Sequence, residues 1–502
     1  MARSYRHEFL AVALLGGLSC SSASESSGSG PGTTGQLRLL SAPVPSDTIG
    51  AVQATPLEVQ LQDEAGKPVA GAEVRWSASG PDGQWARFAA TPTSYPWESY
   101  VDTTDAGGRS AAILIRGLKV GQMTMLAEAT AHGLSATASF ATTVGQPASV
   151  RAPTRDTALR VGAGFRLRPR VFDLGGNPRA DAVAVTTLSG GSSIQVVDGD
   201  SLLATTIGRV AVRSSAFGLA DTMWISVVPT GTLAAYSIGP STANDDQLAV
   251  FDTDGRDWRV LHTLLFHYNF EPAVDWEPDG NAVAFQDAVG GLARLFRANM
   301  TGTVTPLLSD ANRQAEDQVP RYSRDGAWVY YTGVLTPWSS EASLFRASQV
   351  GGGVERLTLS PSIYTTDAEP DASPDGTRVV FVTDRPDFNP GGGNDFDLAI
   401  LNLADSAITV LSLPARTPRW SPVGDQIAFI SGGQVWLVSP DGSNLTQLTS
   451  GTETYRPGLS WAPDAQWLVA ATESGIRVIE VQTGLTLPLA FTRYFVSPSW
   501  RP

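Results

Sequence analysis

The stretch RWSPVGDQIAFISGGQVWLVSPDGSNLTQLT, residues 419–449, contains the pattern that decides the fold. Short apolar runs, rich in β-branched and aromatic residues, alternate in it with turns that contain Pro and Gly. Runs of this length bounded by turn residues are typical of β-strands. The stretch therefore predicts four short strands joined by tight turns, which is one unit of an all-β domain.

The same unit recurs along the second half of the chain. A period of about 40–50 residues fits a four-stranded blade of a β-propeller. Six copies of the apolar outer strand of the unit are found, at residues 248–251, 295–298, 344–347, 398–401, 435–438 and 476–479.

A turn with the pattern aromatic-Ser-Pro-Asp-Gly precedes each of the last five copies. Pro presets φ, Asp bonds its own backbone and Gly adopts a positive φ, so the pattern predicts a tight turn between the first two strands. We expect the aromatic residue to pack between neighbouring blades. Ala372 replaces the aromatic residue, Val423 the Asp and Ala465 the Gly of the pattern. The five turns are at residues 276–280, 322–326, 372–376, 420–424 and 461–465.

A sixth copy of the aromatic segment ends the chain, at residues 499–502, whereas the first outer strand has none before it. We therefore expect the C-terminal segment to supply the innermost strand of a blade whose other strands lie near residues 233–239, 247–251 and 258–262. Closure of this kind removes the exposed sheet edges that promote aggregation. The sequence thus predicts a six-bladed β-propeller closed by its C-terminal strand.

The repeated motif resembles the repeat of TolB-like propellers, which is a WD40-like repeat, over residues 231–502. The resemblance implies a ring that docks onto envelope lipoproteins and peptide segments. Propellers of the prolyl-peptidase type are similar too, but they carry a separate hydrolase domain. We expect none here, because the ring closes at Pro502.

Two related units precede the propeller, and each carries the pattern D-x-x-G-x-P after an alternating strand, at residues 63–68 and 173–178. Alternation places one strand face in a core and the other in water. Several short strands separated by turns suggest β-sandwiches, so the predicted fold class is all-β, with two sandwiches before the propeller. The strands are expected at residues 57–61, 73–77, 110–115, 124–129 and 137–142 of the first unit and 165–171 of the second.

The first unit, residues 36–145, resembles the bacterial immunoglobulin-like (Ig-like) domains of the invasin and intimin type. The matching pieces are LEVQLQDEAGKPVAGAEVRWS, TTDAGGRSAAILIRGLKVGQMTMLAEA and ATASFATTV. The second unit, residues 146–230, resembles a related Ig-like group. In that family such domains are stalks and spacers on cell surfaces and are sometimes adhesive. The simpler alternative is a spacer with no ligand of its own.

The N-terminus has the features of a signal for export. Arg3 and Arg6 precede an apolar run at residues 9–18, which is too short to span a bilayer but long enough for a signal-peptide core. Cys20, the single cysteine, follows it, so residues 1–20 resemble a bacterial lipoprotein signal in which Cys20 is lipidated. An ordinary secretory signal with a chance Cys is the alternative, because Gly17 stands where the lipoprotein pattern has Leu.

Residues 21–35 are rich in Ser and Gly and predict a flexible linker between a lipid anchor and the first fold. Ser21, after Cys20, is not the Asp associated with retention at the inner membrane, which favours the outer membrane. The predicted location is therefore the cell envelope, lipid-anchored on the outer-membrane or periplasmic side.

Several functions are poorly supported by the sequence. The formal charge is −14 and no Lys/Arg cluster stands out, so we expect no nucleic-acid partner. The letters GDSL at residues 199–202 match an esterase signature, but they lack its Asp-x-x-His partner and indicate a hairpin turn instead. With four His and no HExxH, GxSxG, Walker or GxGxxG motif, we predict no catalytic residue, metal or cofactor.

The loops that enter the innermost strands carry charged residues that could form a rim for a partner peptide or sugar. A solvated loop edge is the alternative. The Thr383–Phe396 loop also holds Asp395 and stands next to Asp397, but two carboxylates are too few to argue a Ca²⁺ site. The proposed rim consists of Glu271, Asp317, Asp367, Glu369, Arg416 and Arg456.

The sequence leaves three functions open. The first is a non-enzymatic envelope lipoprotein in which the Ig-like modules present the propeller for protein–protein interaction. The second is a carbohydrate-binding or polysaccharide-processing propeller, for which carboxylate pairs could run glycoside chemistry. Exposure of Trp258 or Trp338 on the ring would favour it, because aromatic faces stack on sugars. The third is a structural spacer with a degenerate propeller.

Overall fold

The computed structural model is built almost entirely from β-strands. In the part of the chain that it describes, helical structure is limited to two 3₁₀ turns, Thr130–His132 and Asp310–Asn312. No helix in this part is long and apolar enough to cross a membrane. The described residues are 35–80, 85–153, 156–189, 192–239, 246–264, 273–337, 341–350, 352–359, 365–385, 396–489 and 494–502.

The first of two compact units contains a β-sandwich whose two sheets share one apolar core. Trp76, Phe88 and Phe140 are fully buried there, and Trp76 Nε1 donates to Ser110 Oγ (3.1 Å) across the sheets. All five strands predicted for this region are present. One sheet has the order β1 (Gly35–Ser41), β3 (Leu57–Asp63), β7 (Arg109–Arg116), β5 (Ala86–Ala89), and the other β2 (Ser46–Thr48), β9 (Leu134–Thr143), β8 (Gly121–Ala129), β4 (Glu73–Ser79), β6 (Ser99–Thr103).

The alternating strand predicted at residues 165–171 is two strands in the structure. β12 (Gly164–Arg166) and β13 (Arg170–Asp173) lie in different sheets, and Arg168 between them has a φ of 49°. Pro169 follows and cannot donate a ladder hydrogen bond, which is why the strand is interrupted here. β13 pairs with β10 (Pro147–Arg151) in the first unit, where Asp173 Oδ2 accepts from Gly145 N (2.9 Å).

The remaining strands of region 146–230 form two sheets around a second core. The letters GDSL lie at the hairpin between β15 (Ile194–Asp198) and β16 (Ser201–Ala204), with Gly199 at φ 51°, as predicted. In the second unit Arg160 pairs with Asp252 (2.6 Å) and Asp254 (3.1 Å) of the propeller. The sheets have the orders β11 (Asp156–Arg160), β18 (Leu219–Val228), β17 (Gly208–Ala216), β14 (Ala184–Ser189), and β12, β16 (Ser201–Ala204), β15 (Ile194–Asp198).

Six four-stranded antiparallel sheets follow within the described residues, and we call them blades 1 to 6. Written from the innermost strand outward, blade 1 consists of β42 (Tyr494–Trp500), β19 (Thr232–Ile238), β20 (Gln247–Asp252) and β21 (Arg259–Thr263), and blade 2 of β22 (Val274–Trp276), β23 (Ala282–Val289), β24 (Leu292–Asn299) and β25 (Val304–Pro306). Blade 3 consists of β26 (Glu316–Tyr322), β27 (Trp328–Val334), β28 (Ala342–Ser348) and β29 (Val354–Arg356), and blade 4 of β30 (Asp367–Ala372), β31 (Arg378–Thr383), β32 (Asp397–Asn402) and β33 (Ile408–Pro414). Blade 5 consists of β34 (Arg416–Trp420), β35 (Ile427–Ser431), β36 (Gln434–Val438) and β37 (Thr446–Gln447), and blade 6 of β38 (Tyr455–Trp461), β39 (Trp467–Thr472), β40 (Gly475–Glu480) and β41 (Thr486–Pro488).

The innermost strands surround a central channel. Each of β22, β26, β30, β34 and β38 contacts the innermost strand of the next blade, and β42 contacts both β38 and β22. β42 pairs antiparallel with β19, from Leu233↔Trp500 to Ile238↔Tyr494. The C-terminal segment therefore completes the blade that the start of the domain leaves without an innermost strand, as the sequence predicts.

The repeats predicted as outer strands are the third strands of their blades. A fourth strand lies outside each of them, and it is shorter in every blade except blade 4, such as β25, which has three residues, and β37, which has two. Short edge strands of this kind present few unpaired backbone groups. Their weak sequence signal is the reason that the pattern gave bounds for this strand only in blade 1, near residues 258–262, where β21 lies.

The predicted tight turns join the first and second strands. Gly280 and Gly376 have φ near +70°, and Ala465 adopts the same left-handed conformation (φ 57°) in place of Gly. Where Val423 replaces Asp, the next acidic residue takes over, because Ser421 Oγ donates to Asp425 Oδ1 (2.6 Å). The departures from the motif therefore change single residues and leave the turns in place.

Candidate binding site at the mouth of the channel

The channel contains a layer of polar side chains, contributed by the residue before each aromatic position of the repeat. In blades 2 to 5 this residue alternates between acid and base. All of these residues are largely buried. In blade order 2 to 6 and then 1, they are Asp275, Arg321, Asp371, Arg419, Ser460 and Ser499.

Arg419 connects the two acids of this layer. Its Nη2 lies 2.9 Å from Asp275 Oδ1, and its Nε lies 3.7 Å from Asp371 Oδ1. Arg321 donates from Nη1 to the carbonyl of Val274 (3.1 Å). Two acids and two bases therefore neutralise each other inside the channel, which is how buried charges are tolerated.

The same layer ties neighbouring blades together. Asp275 Oδ2 accepts from the backbone N–H of Tyr322 (2.9 Å), and Asp371 Oδ2 accepts from that of Trp420 (2.7 Å). Ser460 Oγ accepts from Trp500 N (3.0 Å) in the last interface of the ring. Each of these side chains thus binds the first strand of the next blade. Asp275 is hydrogen-bonded at both oxygens, whereas Asp371 is hydrogen-bonded at Oδ2 and ion-paired at Oδ1.

Burial shifts the pKa values of charged side chains in this layer. The pKa of Asp371 is raised, chiefly because burial disfavours its charged form, and the charge of Arg419 opposes the shift. Burial likewise lowers the pKa of Arg321 to about 10, with the positive charge of Arg419 adding to the effect. Arg321 therefore remains protonated at neutral pH.

The aromatic residues of the repeat pack between blades, as predicted. Trp276, Tyr322, Trp420, Trp461 and Trp500 are all buried. Two of the indoles also donate across a blade interface, from Trp276 Nε1 to the carbonyl of Ser499 (3.1 Å) and from Trp461 Nε1 to that of Arg419 (3.0 Å). The indoles therefore add directional bonds to the packing.

A cavity of about 270 Å³ opens at the end of the channel where these strands reach their turns. Its floor is the layer of Asp275, Asp371 and Arg419, and its wall contains the edges of the five aromatic side chains and a series of prolines. Concave sites with apolar walls and a few fixed polar groups are the usual form of ligand sites. The prolines are Pro278, Pro374, Pro422, Pro463 and Pro502.

The predicted charged rim lies at the opposite ends of the innermost strands. Its described members lie in the strands themselves and not in the loops before them. Asp317 and Asp367 are completely buried, and Glu369 is buried against Arg416, whose Nη2 donates to its Oε1 (2.7 Å). The sequence placed these residues in exposed loops, as a rim for a partner or as a solvated edge, because a pattern along one strand does not show which strand ends are buried.

Two rim cations keep solvent exposure. The side chain of Arg416 is 47% exposed and that of Arg456 is 38% exposed, and Arg456 pairs with Glu473 (3.1 Å). Glu271 lies outside the described residues, and so do Cys20, Trp338 and most of the Thr383–Phe396 loop. The rim therefore remains a proposal that rests on exposed arginines rather than on a ring of carboxylates.

Two comparisons with curated proteins cover short parts of the chain. A TolB homolog of Chlorobium luteolum is 36% identical over 105 residues, which are 20% of this chain and 22% of the homolog. The uncharacterized protein YidR of Escherichia coli K12 is 30% identical over 80 residues, 15% of this chain and 19% of YidR. The chain thus matches about a fifth of the length of these relatives. The first match supports a TolB-like propeller.

Comparison with solved structures includes TolB from Acinetobacter baumannii. It has a TM-score of 0.44 and 18% sequence identity, and the alignment covers 64% of this chain and 83% of that chain. No protein-family model matches the sequence.

The four charged residues of the channel were not found by sequence reasoning. Asp275 and Arg419 are far apart in the chain, and neither belongs to a catalytic or metal-binding motif. The signal in the sequence was the alternation of Asp, Arg, Asp and Arg at one position of an aligned repeat. Innermost strands face a shared axis, so alternating charges at one position of the repeat predict ion pairs across the channel.

Asp317 gives a prediction on stability. Burial raises its pKa to about 6. Its Oδ2 has no hydrogen-bond partner among the described residues, and Arg294 Nη1 lies 4.0 Å away. A raised folded-state pKa means that the charged form destabilises the fold above pH 6 and that this penalty fades as the pH falls toward 4. We expect Asp317→Asn to raise the free energy of unfolding at pH 8 by about 1–3 kcal/mol.

Denaturant unfolding at pH 8 and pH 4.5 checks this expectation. The stabilisation by Asp317→Asn should be large at pH 8 and small at pH 4.5. Asp367→Asn is the matched control, because Asp367 is equally buried but pairs with Arg385 (2.5 Å), so its replacement should destabilise. A loss of stability in Asp317→Asn at both pH values would contradict the assignment.

Proposed function

We propose that this chain is a non-enzymatic cell-envelope lipoprotein whose Ig-like modules present a six-bladed, TolB-like propeller for protein–protein interaction. The observation that carries the proposal is the 270 Å³ cavity above a channel that ion pairs fill. Because these side chains occupy the channel, a protruding segment of another protein would insert into the cavity at its mouth. Docking into the centre of a ring buries an anchor residue on all sides, which is how hot spots gain affinity.

The state of the cavity carboxylates favours binding over catalysis. A general acid or base needs a proton-transfer position that the substrate can reach. Both oxygens of Asp275 are engaged, by Arg419 and by the backbone of Tyr322. Asp371 accepts a hydrogen bond from Trp420 N at Oδ2, and its Oδ1 forms a longer ion pair with Arg419, 3.7 Å away. These carboxylates stabilise the ring, so we propose no reaction at this site.

The envelope location is the second part of the proposal. It rests on the export signal at residues 1–20, with Cys20 as the lipidated residue, and on the Ser/Gly-rich linker that follows. The match to a TolB homolog agrees with it. The Ig-like character of the N-terminal region and the ring of six blades also remain parts of this proposal.

Affinity capture tests the proposed function. The purified chain from Gly35 onward is immobilised and incubated with envelope extract of its own source, and retained proteins and glycans are both identified. We expect one protein retained in stoichiometric amount. If the rim contributes, Arg456→Glu lowers its retention, whereas unchanged retention removes the rim from the proposal. Retention of glycan and no protein would contradict protein–protein interaction.

A second function, binding of extracellular carbohydrate, is favoured by one observation. Trp258 is 38% exposed and is held by stacking on Phe251, with ring centres 5.3 Å apart and planes within 9°. Phe495 supports it at 5.6 Å. A rigid, partly exposed indole on the ring has the form of a stacking platform for a sugar. In the same capture experiment, glycan retention that Trp258→Ala abolishes would favour this function.

A further inference from the structure

Three neighbouring blades line the cavity with residues that differ from the regular repeat in sequence or in bonding. Arg324 stands in blade 3 where the motif has Pro, and Ala372 stands in blade 4 where it has an aromatic residue. In blade 5, Trp420 keeps the aromatic residue, but its indole N–H has no acceptor among the described residues. This side of the cavity therefore has one ring fewer than the repeat provides and has donors that the regular repeat lacks.

Ala372 leaves room for a ring. Its equivalents in the other blades are Trp or Tyr, and aromatic side chains of that size bury about 150–250 Å² each. In the other blades this ring packs between neighbouring blades and also lines the cavity, so Ala372 leaves the cavity wider at this point. An aromatic side chain of a ligand would therefore enter among Tyr322, Trp420 and the ring of Pro374, which line the same space.

Trp420 provides a donor beside this gap. The indoles of Trp276 and Trp461 each donate to the carbonyl of the residue that precedes the aromatic position in the blade before. For Trp420 that residue is Asp371, next to Ala372, and this bond is not made. An unsatisfied buried N–H costs about 1–3 kcal/mol, so an acceptor that reached this point would remove a penalty already present in the free protein.

Arg324 provides a second set of donors. Its side chain is exposed, and its Nη1 donates to the carbonyl of Pro422 (3.0 Å), so the guanidinium reaches from blade 3 to blade 5 past the gap of blade 4. A guanidinium has five N–H donors in a planar fork, which suits the carbonyl groups of a peptide backbone. Arg324 is thus placed to bind the main chain of a segment whose side chain fills the gap.

The surroundings of the mouth are acidic. The turns next to the lining residues carry exposed Asp279, Asp325, Asp375 and Asp464. The hydroxyl of Ser373 and the turn N–H of Thr377 lower the pKa of Asp375 to about 2, and Ser323 chiefly lowers that of Asp325. These carboxylates stay ionised at neutral pH and outnumber the arginines nearest the cavity, Arg324 and Arg501, which lies over Trp276. The excess of negative charge favours cationic segments.

We infer that the cavity binds an aromatic side chain of a basic peptide segment in a partner protein, with the ring in the gap at Ala372 and the peptide backbone on Arg324. This inference rests on the proposed protein–protein interaction and names the chemistry of the segment that enters the ring. The flanking Lys or Arg residues of the segment lie against the acidic turns. Arg324, Ala372 and Trp420 are then binding residues.

Restoring the repeat tests the inference, and Ala372→Trp does so without removing a hydrogen bond, whereas Arg324→Pro removes the bond to the carbonyl of Pro422. Ala372→Trp refills the aromatic position and Arg324→Pro restores the turn, and both residues already occupy these positions in other blades. Ala465→Gly restores the motif away from the gap and is the matched control. The probe is a fluorescent ten-residue peptide with one Phe flanked by two Lys on each side, titrated into the full chain and followed by fluorescence anisotropy.

We expect the probe to bind the wild type and the Ala465→Gly control equally and to bind Ala372→Trp at least tenfold more weakly, with thermal midpoints unchanged or raised. Arg324→Pro should weaken binding as well. Replacing Phe by Ala or Lys by Glu in the probe should abolish binding. No binding by the wild type, equal binding by Ala372→Trp, or equal binding of N-acetylphenylalanine amide would overturn the inference. A partner captured from envelope extract by wild type and Ala372→Trp alike would keep the proposed function and reject this site.

Discussion

A chain that ends at Leu489 is expected to lose the cooperative fold of its propeller. The missing strand, β42, is the innermost strand of blade 1 and contacts the innermost strands of blades 2 and 6. It buries Phe495, Val496 and Trp500. At about 1.5–3 kcal/mol for each of these side chains, their loss removes roughly 5–9 kcal/mol, which is comparable with the whole stability of a typical domain.

The removal also exposes backbone groups. β19 pairs with β42 along most of its length, so truncation leaves a long, apolar strand edge. Such edges pair with other chains and promote aggregation. Circular dichroism during heating and size-exclusion chromatography measure both consequences. We expect no cooperative propeller transition and a large aggregated fraction.

Two controls distinguish loss of the strand from loss of one side chain. Trp500→Ala in the full chain should fold as a monomer and lose about 3–5 kcal/mol, the usual cost of removing a buried Trp. A synthetic peptide of residues 490–502 added to the truncated chain should restore a cooperative transition, because it supplies β42 in trans. A truncated chain that melts at the wild-type temperature would show that the ring does not depend on its closing strand.

Local signals made the propeller predictable from the sequence. The Pro-Asp-Gly turns specify their backbone conformation through φ and short hydrogen bonds, and they recur with the period of a blade. The closing role of Trp500 followed from counting the copies. Even Ala465, which breaks the motif, keeps the left-handed turn, because the strands on either side fix its ends.

The site was less predictable because it depends on contacts between distant residues. The ion pair of Arg419 with Asp275 joins blades 5 and 2, and sequence patterns along one strand do not report which side chains share the channel. For the same reason Asp317 was placed in the charged rim of an exposed loop although it is buried. An acidic residue in a strand is usually exposed, and only the neighbouring blade reveals the exception.

The backbone of the innermost strands could not be predicted either. Val319, Thr417 and Ser497 have φ between 47° and 53°, at the same repeat position, where the pairing with the second strand shifts register. β-branched residues rarely adopt this conformation, which costs of order 1–3 kcal/mol. It persists because the contacts of the ring fix it, and these contacts involve all the blades together.

Arg419→Met is the substitution in the charged layer with the largest expected effect, a loss of about 3–5 kcal/mol in the free energy of unfolding. Methionine fills a similar volume but leaves Asp275 and Asp371 buried without the cation between them. Arg321 alone then faces two carboxylates, and its Nη1 is engaged by the carbonyl of Val274. Denaturant unfolding of the propeller, followed by Trp fluorescence at pH 7.5, measures the loss.

The sign of the pH dependence of the stability loss in Arg419→Met identifies the cause of that loss. Burial already raises the pKa of Asp371, and removing Arg419 takes away the charge that opposes this shift. Protonation then relieves the unpaired charge, so the deficit of Arg419→Met should be full at pH 7.5 and shrink as the pH falls toward 4. A deficit caused by lost packing alone would not change with pH.

Two further variants separate charge from size. Arg456→Met removes an arginine whose side chain is 38% exposed and paired at the surface, and it should cost about 0–1 kcal/mol. Replacing the whole layer with neutral residues, as Asp275→Asn, Asp371→Asn, Arg321→Met and Arg419→Met together, should recover most of the loss, since no buried charge remains. Asn keeps an acceptor for the N–H groups of Tyr322 and Trp420. If the fourfold variant is less stable than Arg419→Met alone, the layer stabilises the ring by geometry and hydrogen bonds rather than by balancing charge.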